Sequence, residues 1–167
     1  ARLMNCLIGN YPQIILRVFI WIWYNYTMKV QKTTRGYYVR LETGEEIVGE
    51  LIKFVKARDI RMASFTTMGA VAFAELGYYA LAKKQYYWKE FDGEFEILGG
   101  TGNVSIMQEE PSVHLHMTLS GSDFTAFGGH VKRATVATTC EIVMTVEDGT
   151  LLRSYDEHAG LNLWDCK

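Results

Sequence analysis

PSVHLHMTLSGSDFTAFGGHVKRA, residues 111–134, reads as two extended segments joined by a short turn. SVHLHMTLS (112–120) is one strand and DFTAFGGHV (123–131) the next. Gly121-Ser122-Asp123 makes a three-residue hairpin loop between them. The stretch holds three of the chain's four histidines. Side chains two apart on a strand share a face, so His114 and His116 point the same way. A hairpin centred on Ser122 sets His130 directly across from His114, with Cβ atoms about 5 Å apart. An even loop, or a bulge at Gly128-Gly129, would turn His130 to the other face.

The same strand grammar runs through most of the chain. GYYVRLE (36–42) is a strand, and Thr43-x-x-Glu46 then has capping-box spacing. Ile47, Leu51, Phe54 and Val55 recur at helical spacing, which predicts a helix over about 45–58. From Met62 strands return: 62–81 broken at Gly69 and Gly77, a turn at 83–85, and 86–91 coming back. Asp92-Gly93 reads as a turn. Next come 95–108, kinked at Gly99-Gly100, then the hairpin, 134–148 and 151–156. One helix, or two, on a mostly antiparallel sheet is an α+β domain.

Composition agrees. The 167 residues are 49% apolar and 22% charged, a globular balance for one domain. A net charge of −2 lacks the basic excess of a free-standing nucleic-acid binder. Cys6, Cys140 and Cys166 lie far apart without a CxxC pair, which fits a reducing cytoplasm rather than a disulfide framework.

Residues 1–27 differ in character. IILRVFIWIWY (14–24) is apolar but holds Arg17, and it is shorter than the roughly 20 apolar residues of a membrane span. The residues after Trp23 read YNYT, not a small-residue cleavage site. The preferred reading is an extension outside the domain, which then spans 28–167; the rival is a genuine strand or an interfacial anchor.

Three neutral imidazoles at hairpin distances form a metal-ligand set. Zinc takes histidine nitrogens at about 2.0–2.1 Å, and three protein ligands leave a position for water or substrate. Imidazole suits other divalent ions as well. Against this, an isolated HxH is more often two satisfied or surface histidines; it is the register of His130 that raises the metal reading.

Other side chains carry weaker signals. Glu141 interrupts the apolar run TCEIVM (139–144). A carboxylate there orients a ligand histidine or serves as general acid or base, or else it sits in an ion pair or on a solvent-facing position. Asn103 in GGTGNVS donates to an anion or makes a local turn contact. That segment is not a phosphate loop, since it lacks the closing Gly-Lys-Ser/Thr. Lys132 and Arg133 draw an anionic substrate or are an exposed basic pair. Ser120 and Ser122 have no fixed histidine partner, and His158 reads as a surface residue.

In order along 28–164, GYYVRL, ASFTTMGAV, GYY, FEILGGTGNVS, HLHMTLS, GGHV, CEIV and YDEHAGLNLW resemble the PPC domain family (plants and prokaryotes conserved). The resemblance implies a trimer with a fold similar to that of acetolactate decarboxylase, which holds zinc through three histidines. It also implies that His114, His116 and His130 are the ligands. Plant members commonly lack the histidine of GGH, whereas this sequence keeps it. Prokaryotic members carry a candidate DNA-binding label, and the AT-hook core of plant members is absent here. The expected function is therefore a trimeric zinc-binding, or otherwise metal-binding, domain that binds or transforms a small molecule. The alternatives are a DNA-binding module, or a trimerisation domain in which the metal staples a hairpin.

Overall fold

The computed structural model describes residues 28–166. The expected extension, 1–27, lies outside the described residues.

The strands are β1 (Lys29–Lys32), β2 (Gly36–Glu42), β3 (Ala63–Ala80), β4 (Gln85–Met107), β5 (Glu110–Ser120), β6 (Ala126–Val146), β7 (Arg153–Asp156) and β8 (Leu161–Trp164). A single α-helix among the described residues, α1, spans Ile47–Lys56. All strand pairs are antiparallel, in the order β1-β2-β6-β3-β4-β5, with β7 and β8 a separate hairpin. The start of β6 also pairs with β5, so the ladder β6-β3-β4-β5 closes on itself. This is the α+β architecture that the sequence predicts.

Helix α1 covers one face of the sheet. Ile47, Leu51, Phe54 and Val55 are its buried stripe. They join Leu115, Met117, Val104, Ile142 and Met144 in one core. The pleat of β5 sends Leu115, Met117 and Leu119 into that core and His114, His116 and Thr118 to the other side.

The helix start differs from the capping-box reading. The N-cap is Glu46, whose carboxylate accepts from the N–H of Val48 (3.1 Å) and Gly49 (2.6 Å). Thr43 instead donates to the Thr138 carbonyl. A bend at Gly44, with φ +86°, and Glu45 bonded back to the Glu42 N–H delay the helix by two residues. Glu46 also accepts from the Ala134 N–H of β6, so the cap ties the helix to the sheet. Glu46→Ala is expected to cost about 1–2 kcal/mol in chemical denaturation, the upper range for a lost cap. An unchanged midpoint would show that this carboxylate is not the cap.

Several expected breaks are bulges. Asp92-Gly93 does not reverse the chain: β4 runs through it, with an irregular register opposite Val71–Phe73. Gly99 marks a similar shift. Segments 123–131 and 134–148, expected as separate strands, form one strand from Ala126, with a shift opposite Glu75–Leu76. Turn residues and bulge residues share the same backbone freedom, so composition alone does not separate them. No helix among the described residues is long and apolar enough to cross a membrane.

Candidate metal centre

The β5–β6 loop is five residues, 121–125, rather than three. Asp123 accepts from the Thr125 N–H (3.0 Å), the Phe124 N–H reaches the Gly121 carbonyl (3.0 Å), and Phe124 takes a left-handed φ of +60°. The register therefore moves by one pair: His130 faces His116, not His114. Both loops are odd, so His130 stays on the expected face. Gly128 permits the approach of the two strands, since a Cβ there would stand 2.4 Å from the Met117 carbonyl oxygen.

The three rings converge. Their centroids are 5.0 Å apart for His114–His116, 4.9 Å for His114–His130 and 5.3 Å for His116–His130. One ring nitrogen from each lies within 4.8 Å of the others. Nε2 of His114 and Nε2 of His116 are 3.2 Å apart. Two nitrogens bound tetrahedrally to one zinc at 2.0–2.1 Å stand about 3.3 Å apart, so this pair has metal spacing. His130 Nδ1 is buried with no hydrogen-bond partner among the described residues. Leaving a buried polar atom unpaired costs about 1–3 kcal/mol, a cost that ligation through it removes. The donor set fits a divalent ion of the zinc class.

Burial, the neighbouring histidines and the Arg153 guanidinium push His114 down to about 4. Burial first, then His116 and Arg153, does the same for His130, also to about 4. Burial lowers His116 too. Neutral rings are what a metal requires. Above about pH 6.5 these histidines are neutral in both folded and unfolded chains. Below it the unfolded chain takes up protons that the folded one refuses, so metal-free protein loses stability as pH falls from 6.5 towards 4. Melts of chelator-treated protein should show a lower Tm at pH 5 than at pH 7.5; equal or reversed values would contradict the burial of these rings.

Arg153, on β7, is a residue the sequence reading missed. Its Nε donates to Ser105 Oγ (2.8 Å), Nη1 to the Asn162 carbonyl (2.9 Å) and Nη2 to Asn103 Oδ1 (3.1 Å), and Nη2 also stands 3.2 Å from His114 Nδ1. Asn103 sits opposite His114 in the β4–β5 ladder, so its role is to brace Arg153. On the other side Tyr86 stacks on Trp88 at 4.7 Å, and their rings lie 5.3 and 5.9 Å from His130. No local pattern in LLRSYD signals an arginine that reaches β4. The contact exists because the chain after β6 runs back along β4, where Ile106 bridges Leu152.

The remaining sequence candidates lie elsewhere. Glu141 is exposed on β6, opposite Arg40 and Met68. Its neighbour but one, Val143, begins the row Val143–Thr66–Thr101–His116, three strand spacings or about 14 Å along the sheet. One chain thus does not bring Glu141 to the histidines. Lys132 and Arg133 both bind Glu75, at 2.8 Å each, and Arg133 also binds Glu90. Their charge is matched by a buried carboxylate that the sequence reading did not single out. His158 is exposed, as expected.

The Plants and Prokaryotes Conserved (PCC) domain matches residues 28–148. The chain belongs to this family. A solved structure, of a candidate DNA-binding protein from Bacteroides thetaiotaomicron, is 32% identical, with a TM-score of 0.80 over 83% of this chain and 96% of its own. A metal-containing protein from Archaeoglobus fulgidus is 34% identical, with a TM-score of 0.73 over the same shares, 83% and 96%. Acetolactate decarboxylase from Bacillus subtilis shares the fold at 15% identity, with a TM-score of 0.51 over 72% of this chain and 56% of that one. No curated protein matches the PCC chain.

Proposed function

We propose that this PCC domain binds one divalent ion, zinc by preference, through His114, His116 and His130, and that the ion keeps a position open for a small molecule. The observation that carries the reading is the convergence of three neutral imidazoles, one with a buried unpartnered nitrogen. The A. fulgidus relative, named for its metal, supports it. Bound, such an ion polarises an oxygen ligand or lowers the pKa of water. The chain's own part is to hold three rings unprotonated, to set the Arg153 charge behind His114, and to wall His130 with Tyr86 and Trp88. Glu141 enters this reading as a groove residue, since its place supplies no proton transfer at the ion within one chain. Elemental analysis of protein purified without chelator should give about one metal per chain, and metal-free protein that takes up no zinc would end the reading.

The proposed assembly is a homotrimer in the cytoplasm. Tyr38, Met68, Leu98 and Val143 are large apolar side chains exposed around a groove of about 830 Å³ on the outer face of the sheet. Such contiguous exposure is what a subunit contact covers. Sedimentation at several concentrations tests the trimer.

DNA binding is the second reading, favoured by what the B. thetaiotaomicron relative is called. It predicts duplex affinity that falls steeply with salt. The net charge of −2 and the pairing of Lys132 and Arg133 with carboxylates weigh against it.

A further inference from the structure

We propose that the position left open on the ion takes a small oxyanion in preference to a neutral ligand, with Arg153 behind His114 supplying a further positive charge. This rests on the metal reading of the three histidines.

A divalent ion held by three neutral histidines keeps its full +2. Among the described residues no Asp, Glu or Cys joins the three-histidine group. Arg153 adds a further positive charge behind His114, 3.2 Å from its ring. Its partners are a serine hydroxyl, an asparagine carbonyl, a backbone carbonyl and the imidazole, all uncharged. No carboxylate pairs with it among the described residues, in contrast to Lys132 and Arg133, which share Glu75.

A part-buried guanidinium against a ligand of a dication, with no anion supplied by the protein, is electrostatically incomplete. The missing negative charge comes from outside. Three of the five guanidinium N–H groups are spent on oxygen acceptors; with His114 ligating through Nε2 its Nδ1 carries hydrogen, which leaves one N–H free on Nη1 and one on Nη2. Oxygen anions suit both a zinc-class ion and a guanidinium, and carboxylate and phosphate share that chemistry.

The test uses protein loaded with one equivalent of Co²⁺, whose visible spectrum reports its ligands. Acetate and inorganic phosphate are titrated separately, with acetamide as the uncharged counterpart of acetate. Saturable spectral changes with acetate or phosphate, at least about tenfold tighter than with acetamide, are expected; which of the two binds better identifies the source. Arg153→Met should remove most of that preference, and Arg153→Lys should restore part of it, each read on protein first shown to hold one equivalent of Co²⁺. Acetamide binding as well as acetate overturns the proposal using the wild-type protein alone, even if Arg153→Met fails to fold. Equal anion affinity in wild type and Arg153→Met also overturns it. A wild-type protein that binds no Co²⁺ gives no spectrum at all, and so removes the metal reading itself, a result distinct from the loss of anion preference.

Discussion

Replacing His130 by alanine is expected to weaken zinc or cobalt binding by roughly 100- to 1,000-fold. A structural zinc site contributes about 10–16 kcal/mol through its full ligand set, so one ligand accounts for a few kcal/mol. The ring is well suited to removal: it is half-buried on the outer side of the sheet, and its Nδ1 has no hydrogen-bond partner to orphan. Fold stability of the metal-free variant should therefore change little, or rise slightly. Competition titration against a chromophoric chelator measures the affinity, and chemical denaturation the stability. Unchanged affinity in the variant would mean that His130 is not a ligand.

Gly128→Val is the second large effect. A Cβ at Gly128 would meet Met117 O at 2.4 Å and Thr118 Cα at 3.2 Å, both backbone atoms that no rotamer change can move. The strands β5 and β6 must then part where His116 faces His130. A loss of about 3 kcal/mol or more is expected, at the high end for overpacking because backbone is displaced, together with loss of metal. Gly99 is the control. A Cβ there meets nothing within 4 Å, so Gly99→Ala should stay within about 0.5 kcal/mol of the wild type. Urea denaturation of the two variants side by side decides it, and a Gly128→Val protein as stable as Gly99→Ala would contradict the packing described.

These two positions also show what the sequence makes legible. The face of His130 follows from parity alone: any odd loop keeps it beside His114 and His116, whether three residues or five. The partner does not follow from parity. It depends on how Asp123 and Phe124 fold the loop, and a left-handed phenylalanine is not a residue that composition would nominate. The buried stripe of α1 is legible because Ile47, Leu51, Phe54 and Val55 obey one period. Its cap is less so, since Thr43 and Glu46 both carry capping side chains and only the bend at Gly44 selects between them. Arg153 is the clearest limit. Its partner Asn103 is 50 positions away, and nothing local to either residue encodes the meeting. The same holds for Glu75, which reads as an isolated acid in an apolar run until Lys132 and Arg133 are brought to it across the ladder.

One ion shared by His114, His116 and His130 is the central claim. Anomalous diffraction from crystals of protein never exposed to chelator, collected on both sides of the zinc absorption edge, tests it most directly. The expected result is a single anomalous peak per chain, about 2.0–2.1 Å from one nitrogen of each of the three rings. Water, or no density, between those rings in protein supplied with zinc would contradict it.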